Sequence, residues 1–488
     1  MGRGRAGSGG EGGLIVRPVL TVAEMQATDA RAQASVSLDV LVERAGTAVA
    51  VVALEMLGGA YGRRVVVVAG KGNNGADGRV AASRLQRRGA RVDVIDASEA
   101  PPGIGRADLV IDAAFGTGFR GRYQAPTVPA GTPVLAVDIP SGIDGDSGVA
   151  SGSPMAATRT VTFAALKPGL LQADGPDLAG VITVADIGLP VEGARVHALD
   201  DDDIVGLLPV RKREDHKWTS AVLVVAGSPG MTGAAGLSAM GAYRSGAGMV
   251  RLGIPGADVG QTPASEAVSV PLPAEGWADE ALSQAQRCQV VVVGPGIGRA
   301  DSTAADLRRL VARSPVPVVV DADGLYALGE LDAPVSSASA VVLTPHDGEY
   351  RRLMGRPPGR DRIAAARQLA ERAGAVALVK GSTTAVGEVD GRVVLGLAGT
   401  PALATAGTGD VLSGVIGAFM ARGVAPLEAA GLAAHVHGRA AANGATEGLV
   451  AGDLPPLVSG VLSRAREASG PGGLRGGPVA GPPGGTRG

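Results

Sequence analysis

The chain has a single cysteine, few aromatic residues, almost no net charge and no long apolar run. Cys288 alone excludes an intrachain disulfide and a cysteine-rich metal site, and its place just before the run Val290 to Val293 suits an ordinary buried thiol. Aromatics make up 2% of the 488 residues, so the interior is expected to be packed largely from Ala, Gly and Val. The 45 Lys and Arg nearly balance 47 Asp and Glu, which leaves no net field to attract nucleic acid or an anionic membrane. No apolar run reaches about 18 residues, so no membrane span is expected. Met1 to Gly13 is Gly-rich and Arg17-Pro18 interrupts the short apolar stretch after it, so a secretory leader is not expected either; the expectation is a cytoplasmic protein.

What is abundant is glycine, 77 residues of it, placed after short Val-rich runs that alternate with Ala-rich helical patterns. The length predicts roughly two to four domains. Val65 to Ala69, Val92 to Asp96, Leu109 to Asp112, Val134 to Asp138 and Thr160 to Phe163 form one series of expected strands. A second series runs through Ala221 to Ala226, Val290 to Val293, Val316 to Asp321, Ala340 to Leu343 and Ala375 to Val379. Strands this apolar, separated by helices, predict parallel sheets covered on both faces. The charge runs Asp200 to Asp203 and Arg211 to Asp215 separate the series and place a boundary near Pro209. The expected organisation is two tandem three-layer α/β/α domains, residues 14–208 and 209–466, between Gly-rich tails at 1–13 and 467–488.

In such sheets ligands lie beyond the carboxyl ends of the strands. Three ends of the first series are polar. Gly70-x-Gly72-x-x-Gly75 has the spacing of a dinucleotide-binding turn, but it also holds Asn73, Asn74 and Asp77, and a carboxylate there would repel a pyrophosphate. The second end is Asp112 to Gly118 and the third Asp138 to Asp144. Oxygen donors from Asn74, Asp112 and Ser141 are suited to a hard cation, which would relieve that repulsion, while Gly116 to Gly118 lets backbone N–H groups approach a phosphate. In the second series the run Ala404 to Gly414 places glycines and Thr408 at a helix start, with Asp410 as a potential base. Neither Gly227 to Gly233 nor Gly294 to Gly298 continues as a Walker loop. His435 and His437, two apart on an expected helix, point to different faces and make a poor metal pair.

Together "GKGNNGADG", "DAAFGTG", "AVDIPSGIDGDSG" and "TVTFAALKPG" resemble the NAD(P)H-hydrate epimerases across most of residues 14–208. The resemblance implies a Rossmann-like fold whose dinucleotide is the substrate, an NADH or NADPH with water added to its nicotinamide ring. It implies substrate contacts at Asn73, Asn74, Gly75, Ala76 and Asp77, at Gly116, Thr117, Gly118, Phe119, Arg120, Gly121 and Arg122, and at Asp138; it implies K+ ligands at Asn74, Asp112 and Ser141. Asp138 is the expected acid/base, with Lys167 a weaker candidate. Ala76 stands where the family usually has glycine, a costly change if that position needs φ > 0.

"AGSPGMTGAA", "GPGIG", "VVDADGL", "LTPHDGEY" and "AGTGD" resemble the NAD(P)H-hydrate dehydratases, ribokinase-like in fold, over roughly residues 209–466. By that resemblance Lys380, Gly381, Ser382, Thr383, Thr384 and Gly409 hold ADP with Mg2+, while Ala234, Gly298, His346 and Asp410 contact the hydrate and Asp410 is catalytic. The implied chemistry phosphorylates the ring hydroxyl and eliminates phosphate, releasing AMP and restoring NAD(P)H. Trp218 to Ala221, Asp347 and Pro401 to Leu403 depart from the family pattern. The expected whole is a repair enzyme whose first half interconverts the R and S hydrates and whose second half dehydrates the S form. Its partners are NADH hydrate, NADPH hydrate and ADP, and a homo-oligomer is expected. The alternative reading is a ribokinase-like small-molecule kinase with a non-catalytic N-terminal dinucleotide-binding module.

Overall fold

Valine runs with no exposed edge become the central strands of two sheets. The computed structural model describes residues 17–258 and 263–469. The expected tail at 1–13 and all of the second tail beyond Ser469 lie outside the described residues. The helix Leu454–Ala468 runs two residues past the expected limit at 466.

The first sheet has six parallel strands, in the order Arg91–Asp96, Arg64–Ala69, Leu109–Ala113, Val134–Val137, Arg159–Phe163 and Val181–Ala185. Helices Leu38–Leu57 and Asn73–Arg87 bring Val49, Ala53, Ala81 and Leu85 against one face, where Val65, Val67 and Ile111 point. Val66, Val68 and Val110 point the other way, and connecting segments carrying Ile104, Tyr123 and Met155 cover them. The chain leaves Arg64–Ala69 toward one side of the sheet and returns on the other. The gap between the ends of Arg64–Ala69 and Leu109–Ala113 is thus the switch point at which an open parallel sheet parts its loops.

The second sheet has eleven strands. Its centre is parallel: Val376–Val379, Val341–Leu343, Val318–Val320, Val290–Val293, Ala221–Val225, Met249–Gly253 and Val268–Val270. Thr384–Gly387 and Val393–Gly396 continue it antiparallel. Beyond these lie two strands from the first half of the chain: Val196–Ala198 pairs parallel with Val393–Gly396, and Arg17–Val19 pairs antiparallel with Val196–Ala198. Helix Asp201–Leu207 packs on Pro426–Ala442 and Leu454–Ala468. By sheet membership, therefore, residues 17–19 and 196–207 go with the second unit, and the expected boundary at 208/209 does not separate the two folds. Val19, Leu166, Leu170 and Leu171 share one apolar cluster with Tyr350, Ile363 and Leu369 of the second unit. The short strands at 17–19 and 196–198 have three residues each, too few to show a period, and only the sheet edge they complete gives them a conformation.

Candidate active sites

Close backbone packing builds the first site. Gly70 ends a central strand, and a Cβ there would lie 2.0 Å from the Ala114 carbonyl oxygen; one on Gly75 would lie 1.9 Å from that of Gly70. Only glycine lets helix Asn73–Arg87 start this close to two strand ends. Its first-turn N–H groups face the switch point, where an anion is favoured. Ala76 lies within this helix and is absent from the residues of positive φ, so its methyl carries no backbone strain.

A cleft of about 660 Å³ opens there. Asn73, Asn74, Asp77, Gly116, Thr117, Gly118, Phe119, Arg120 and Asp138 line it together. Gly75 and Ala76 lie behind the wall as packing positions, and Gly121 and Arg122 are exposed beyond it, where the Gly121 carbonyl accepts the Ser151 hydroxyl at 2.7 Å. Three of the chain's four phenylalanines, Phe115, Phe119 and Phe163, are on the cleft wall. The scarce aromatic residues are concentrated where a flat heterocycle could be stacked.

Asp138 is one of the few non-glycine residues of positive φ, 66°, a backbone state that Asp tolerates better than most and that is enriched at functional sites. Its carboxylate meets the Lys167 ammonium at 2.8 Å and the Thr117 N–H at 3.4 Å. Lys167 is 1% exposed, and it also donates to the Thr162 hydroxyl at 2.7 Å and the Phe163 carbonyl at 2.8 Å. Burial, with the charges of Asp138 and Asp29 added, pushes the Asp77 carboxyl up to about 8. A carboxyl raised to about 8 is mostly protonated at neutral pH, which weakens the repulsion of a pyrophosphate that the sequence predicts for it. Asp29, which no motif marks, lines the same cleft, and burial raises its pKa too.

Beside the cleft the Asp112 carboxylate is fully buried, with the Ser141 hydroxyl at 2.6 Å and the Ser141 N–H at 2.9 Å. Neither Asn74 Oδ1 nor Nδ2 has a hydrogen-bond partner although both are buried. Orphaned polar atoms of this kind call for a ligand. An amide oxygen, a carboxylate and a hydroxyl form a donor set suited to a hard monovalent cation.

The second site forms at the carboxyl ends of the second sheet's central strands. Asp321 follows Val318–Val320, His346 follows Val341–Leu343, and Lys380 follows Val376–Val379. Lys380 Nζ contacts Asp321 Oδ1 at 2.7 Å, and the Thr344 hydroxyl donates to the same oxygen at 2.7 Å. Helix Thr408–Ala421 starts opposite, after Gly407 at φ 91°. A Cβ on Gly409 would lie 3.1 Å from Lys380 Nζ, so the free N–H groups of this first turn and the ammonium face one space. Burial, reinforced by the carboxylates of Asp321, Asp323 and Glu349 and opposed by Lys380, pushes the Asp410 carboxyl up to about 7. Although burial opposes it, the Asp321 and Glu349 carboxylates hold the Lys380 ammonium above its ordinary value. Asp323 accepts the Gly298 N–H at 3.2 Å and pairs with Arg299 at 2.7 Å. Ala322 between the two aspartates has φ 51°, a backbone state rare for alanine.

Residues 222–464 match a family model described as NAD(P)H-hydrate dehydratase, and residues 38–105 and 95–169 match one described as YjeF-related protein N-terminus. The chain is 36% identical to the bifunctional NAD(P)H-hydrate repair enzyme of Salinibacter ruber, over 91% of its own length and 96% of that protein's. It is 38% identical to that of Mycobacterium leprae, over 93% and 99%. The chain belongs to the bifunctional NAD(P)H-hydrate repair enzymes. Among solved structures, the ADP/ATP-dependent NAD(P)H-hydrate dehydratase of Bacillus subtilis, co-crystallised with ATP and Mg2+, is 28% identical. It aligns over 55% of this chain and 97% of its own, with a TM-score of 0.47.

Within this repair enzyme the second set of expected residues is divided. Lys380, Gly409, Asp410 and Gly298 share one network of charges and hydrogen bonds. Ala234 lies behind Gly296, 3.0 Å from where a Cβ on that glycine would be. The His346 ring caps helix Asp347–Met354, its Nδ1 accepting the Gly348 N–H at 2.9 Å, so one ring nitrogen is committed to structure. Asp347, where the family pattern departs, forms a two-point ion pair with Arg362 at 2.6 and 3.1 Å. Thr383 is buried and its hydroxyl donates to the Leu171 carbonyl of the first unit, so that side chain is not free for a phosphate; the Thr384 hydroxyl bonds the Gly381 carbonyl. Ser382 and Gly381 remain exposed. His435 pairs with Asp201 at 2.9 Å, whereas His437 is buried, pushed down to about 4 by desolvation, and set against the Thr408 backbone. No helix of the described residues is long and apolar enough to cross a membrane.

Proposed function

We propose that the first cleft interconverts the R and S epimers of NADH and NADPH hydrate and that the second site dehydrates the S epimer at the expense of ADP. The observation that carries the first half is the Asp138–Lys167 pair at the mouth of a helix start. A pyrophosphate rests on the N–H groups after Gly72 and the hydrated ring reaches Asp138. That carboxylate takes the hydroxyl proton and passes it to the ring nitrogen as the C–N bond opens to an aldehyde, and the reverse transfer closes the ring on the other face. Lys167, held by Thr162 and Phe163, fixes the carboxylate's position. Asp77, mostly protonated at neutral pH, offers a hydrogen-bond donor rather than a charge. The donor set of Asn74, Asp112 and Ser141 fits K+, which would supply positive charge beside the bound phosphates.

In the second site Asp410 removes the proton of the ring hydroxyl, whose oxygen attacks the terminal phosphorus of ADP while AMP departs. The helix start at Thr408 to Asp410 and Lys380 stabilise the charge on the transferring group. Loss of phosphate from the ring, together with a proton from the neighbouring ring carbon, then restores the dihydropyridine. Mg2+ commonly binds through one or two carboxylates and the phosphates themselves; the buried, unpartnered Asp321 Oδ2 suits that role, and the ion would neutralise phosphate charge. The seating of ADP along Lys380 to Ser382 is supported by Lys380 Nζ, 3.1 Å from where a Cβ on Gly409 would be.

Following both epimers chromatographically with ADP, with ATP and without nucleotide tests the whole reading. Interconversion is expected in all three, and loss of the S epimer with appearance of NADH only where nucleotide is present. Persistence of both epimers throughout would refute it. A pH profile tests the base: because Asp410 is raised to about 7, kcat/KM for dehydration should be level above that pH. Below it the value should fall about tenfold per unit as the base form is lost. A flat profile down to about pH 5 would remove Asp410 from the proton transfer.

A further inference from the structure

The two units meet where the segment after Lys167 crosses to the second site. Lys167 is in the first cleft; five residues on, Gln172 is 2% exposed and lies against the start of helix Arg362–Ala373. Its amide oxygen accepts the N–H of Arg362 at 2.9 Å and that of Ile363 at 3.4 Å. Its amide nitrogen donates to the Asp146 carbonyl at 2.8 Å and to Asp361 Oδ1 at 3.1 Å. Two donors on one side and two acceptors on the other admit one orientation of the amide. Asp361 is the N-cap of the same helix and accepts the Ala364 N–H at 2.9 Å. The first-turn N–H groups, which no helix can satisfy internally, are thus shared between a residue of the second unit and one of the first.

This turn carries Arg362, and Arg362 does two things in the second site. Its guanidinium holds Asp347, next to His346, and its Nε lies 3.5 Å from where a Cβ on Gly381 would be. The same strap ties down the other end of that loop, since Thr383 donates to the Leu171 carbonyl. Arg360 adds an ion pair to Asp174 at the strap's far end. The segment Lys380 to Thr384 is therefore fixed from behind by residues 171–174.

We propose that Gln172, a residue of the epimerase half, is a positioning residue for nucleotide binding in the dehydratase half, setting the Lys380 to Thr384 loop through the Arg362 turn. This rests on the reading of that loop as the ADP site. It touches neither hydrate nor ADP, so its loss acts on the loop's placement and not on the chemistry at Asp410. Replacing it by methionine keeps the volume and leaves the N–H groups of Arg362 and Ile363 without their acceptor, which buried donors tolerate poorly.

The test uses the full chain and Gln172→Met, with dehydration of the S hydrate, ADP binding by calorimetry and epimer exchange all measured on the same preparations. The expected result is a rise of about tenfold in both KM and Kd for ADP, with kcat for dehydration and kcat/KM for epimerisation within about twofold of the parent. An unchanged KM and Kd for ADP would overturn the proposal. So would an equal fall of both activities with a lowered folded fraction, which is a general loss of structure. If the parent chain itself shows no nucleotide-dependent dehydration, the reading of the second site has failed, and that outcome is recognisable before the variant is made.

Discussion

Asp410→Asn is expected to lower kcat for dehydration by about 100-fold to 10,000-fold while epimer exchange stays within about twofold. Asparagine keeps the shape and the helix start but cannot take the proton of the ring hydroxyl. The site amplifies the difference, because burial together with Asp321, Asp323 and Glu349 raises Asp410 to about 7, where it is still ionised enough to act and basic enough to accept. The same surroundings predict that the variant folds well. A carboxyl raised from its unfolded value of 3.8 favours folding below that value, and this advantage is lost as pH rises through about 7. At pH 8 the parent therefore carries an unfavourable charge that asparagine lacks, and the variant's thermal midpoint should not fall. Single-turnover formation of NADH from the S hydrate and ADP, with thermal unfolding at that pH, measures both. A variant that dehydrates at the parent's rate would place the base elsewhere.

Asp138→Asn should abolish exchange between epimers by a similar factor, about 100-fold to 10,000-fold, and leave dehydration of added S hydrate intact. Mixed hydrate would then be consumed only to the extent of its S fraction, with the R epimer left standing. Asparagine is the right replacement because it, like aspartate, tolerates the φ of 66° that this position demands. Its carbonyl can still accept from Lys167, which keeps its bonds to Thr162 and Phe163. Alanine would do neither. Both replacements remove the charge opposite a buried ammonium, a loss of about 3–5 kcal/mol when nothing offsets it, and only asparagine recovers part of it through that hydrogen bond. Thermal unfolding separates the two cases. Continued conversion of the R epimer by Asp138→Asn at the parent's rate would sink the assignment.

The first site is legible in the sequence to the extent that it is local. Gly70 to Asp77, Ala114 to Arg120 and Asp138 to Ser141 each follow an apolar strand, with Asp112 at the end of one, and parallel strands bring such ends together. Asp29 is not legible: it lies on helix Val22–Gln33, whose sequence carries no chemical motif, and only the folding of that helix over the cleft gives it a role. The same limit applies to Asp77. A carboxylate in a phosphate loop reads as repulsive until its burial is known, and burial is what keeps its proton on. Thr383 shows the reverse case, a hydroxyl in an anion-binding sequence context that the fold assigns to a carbonyl of the other unit.

The sequence by itself determined the two α/β units, most of their valine-rich strands, the two polar constellations and the family, because these depend on patterns a few residues long and on glycines that only close backbone packing requires. Met249–Gly253, Val268–Val270 and Val181–Ala185 are not among the expected strands. Only the tertiary structure decided how the halves are joined. Strands Arg17–Val19 and Val196–Ala198 complete the second sheet, and Gln172 caps a helix nearly two hundred residues away. Three-residue strands and a lone glutamine carry no periodic signal; their free energy comes from backbone groups satisfied across the chain, which no stretch of sequence contains.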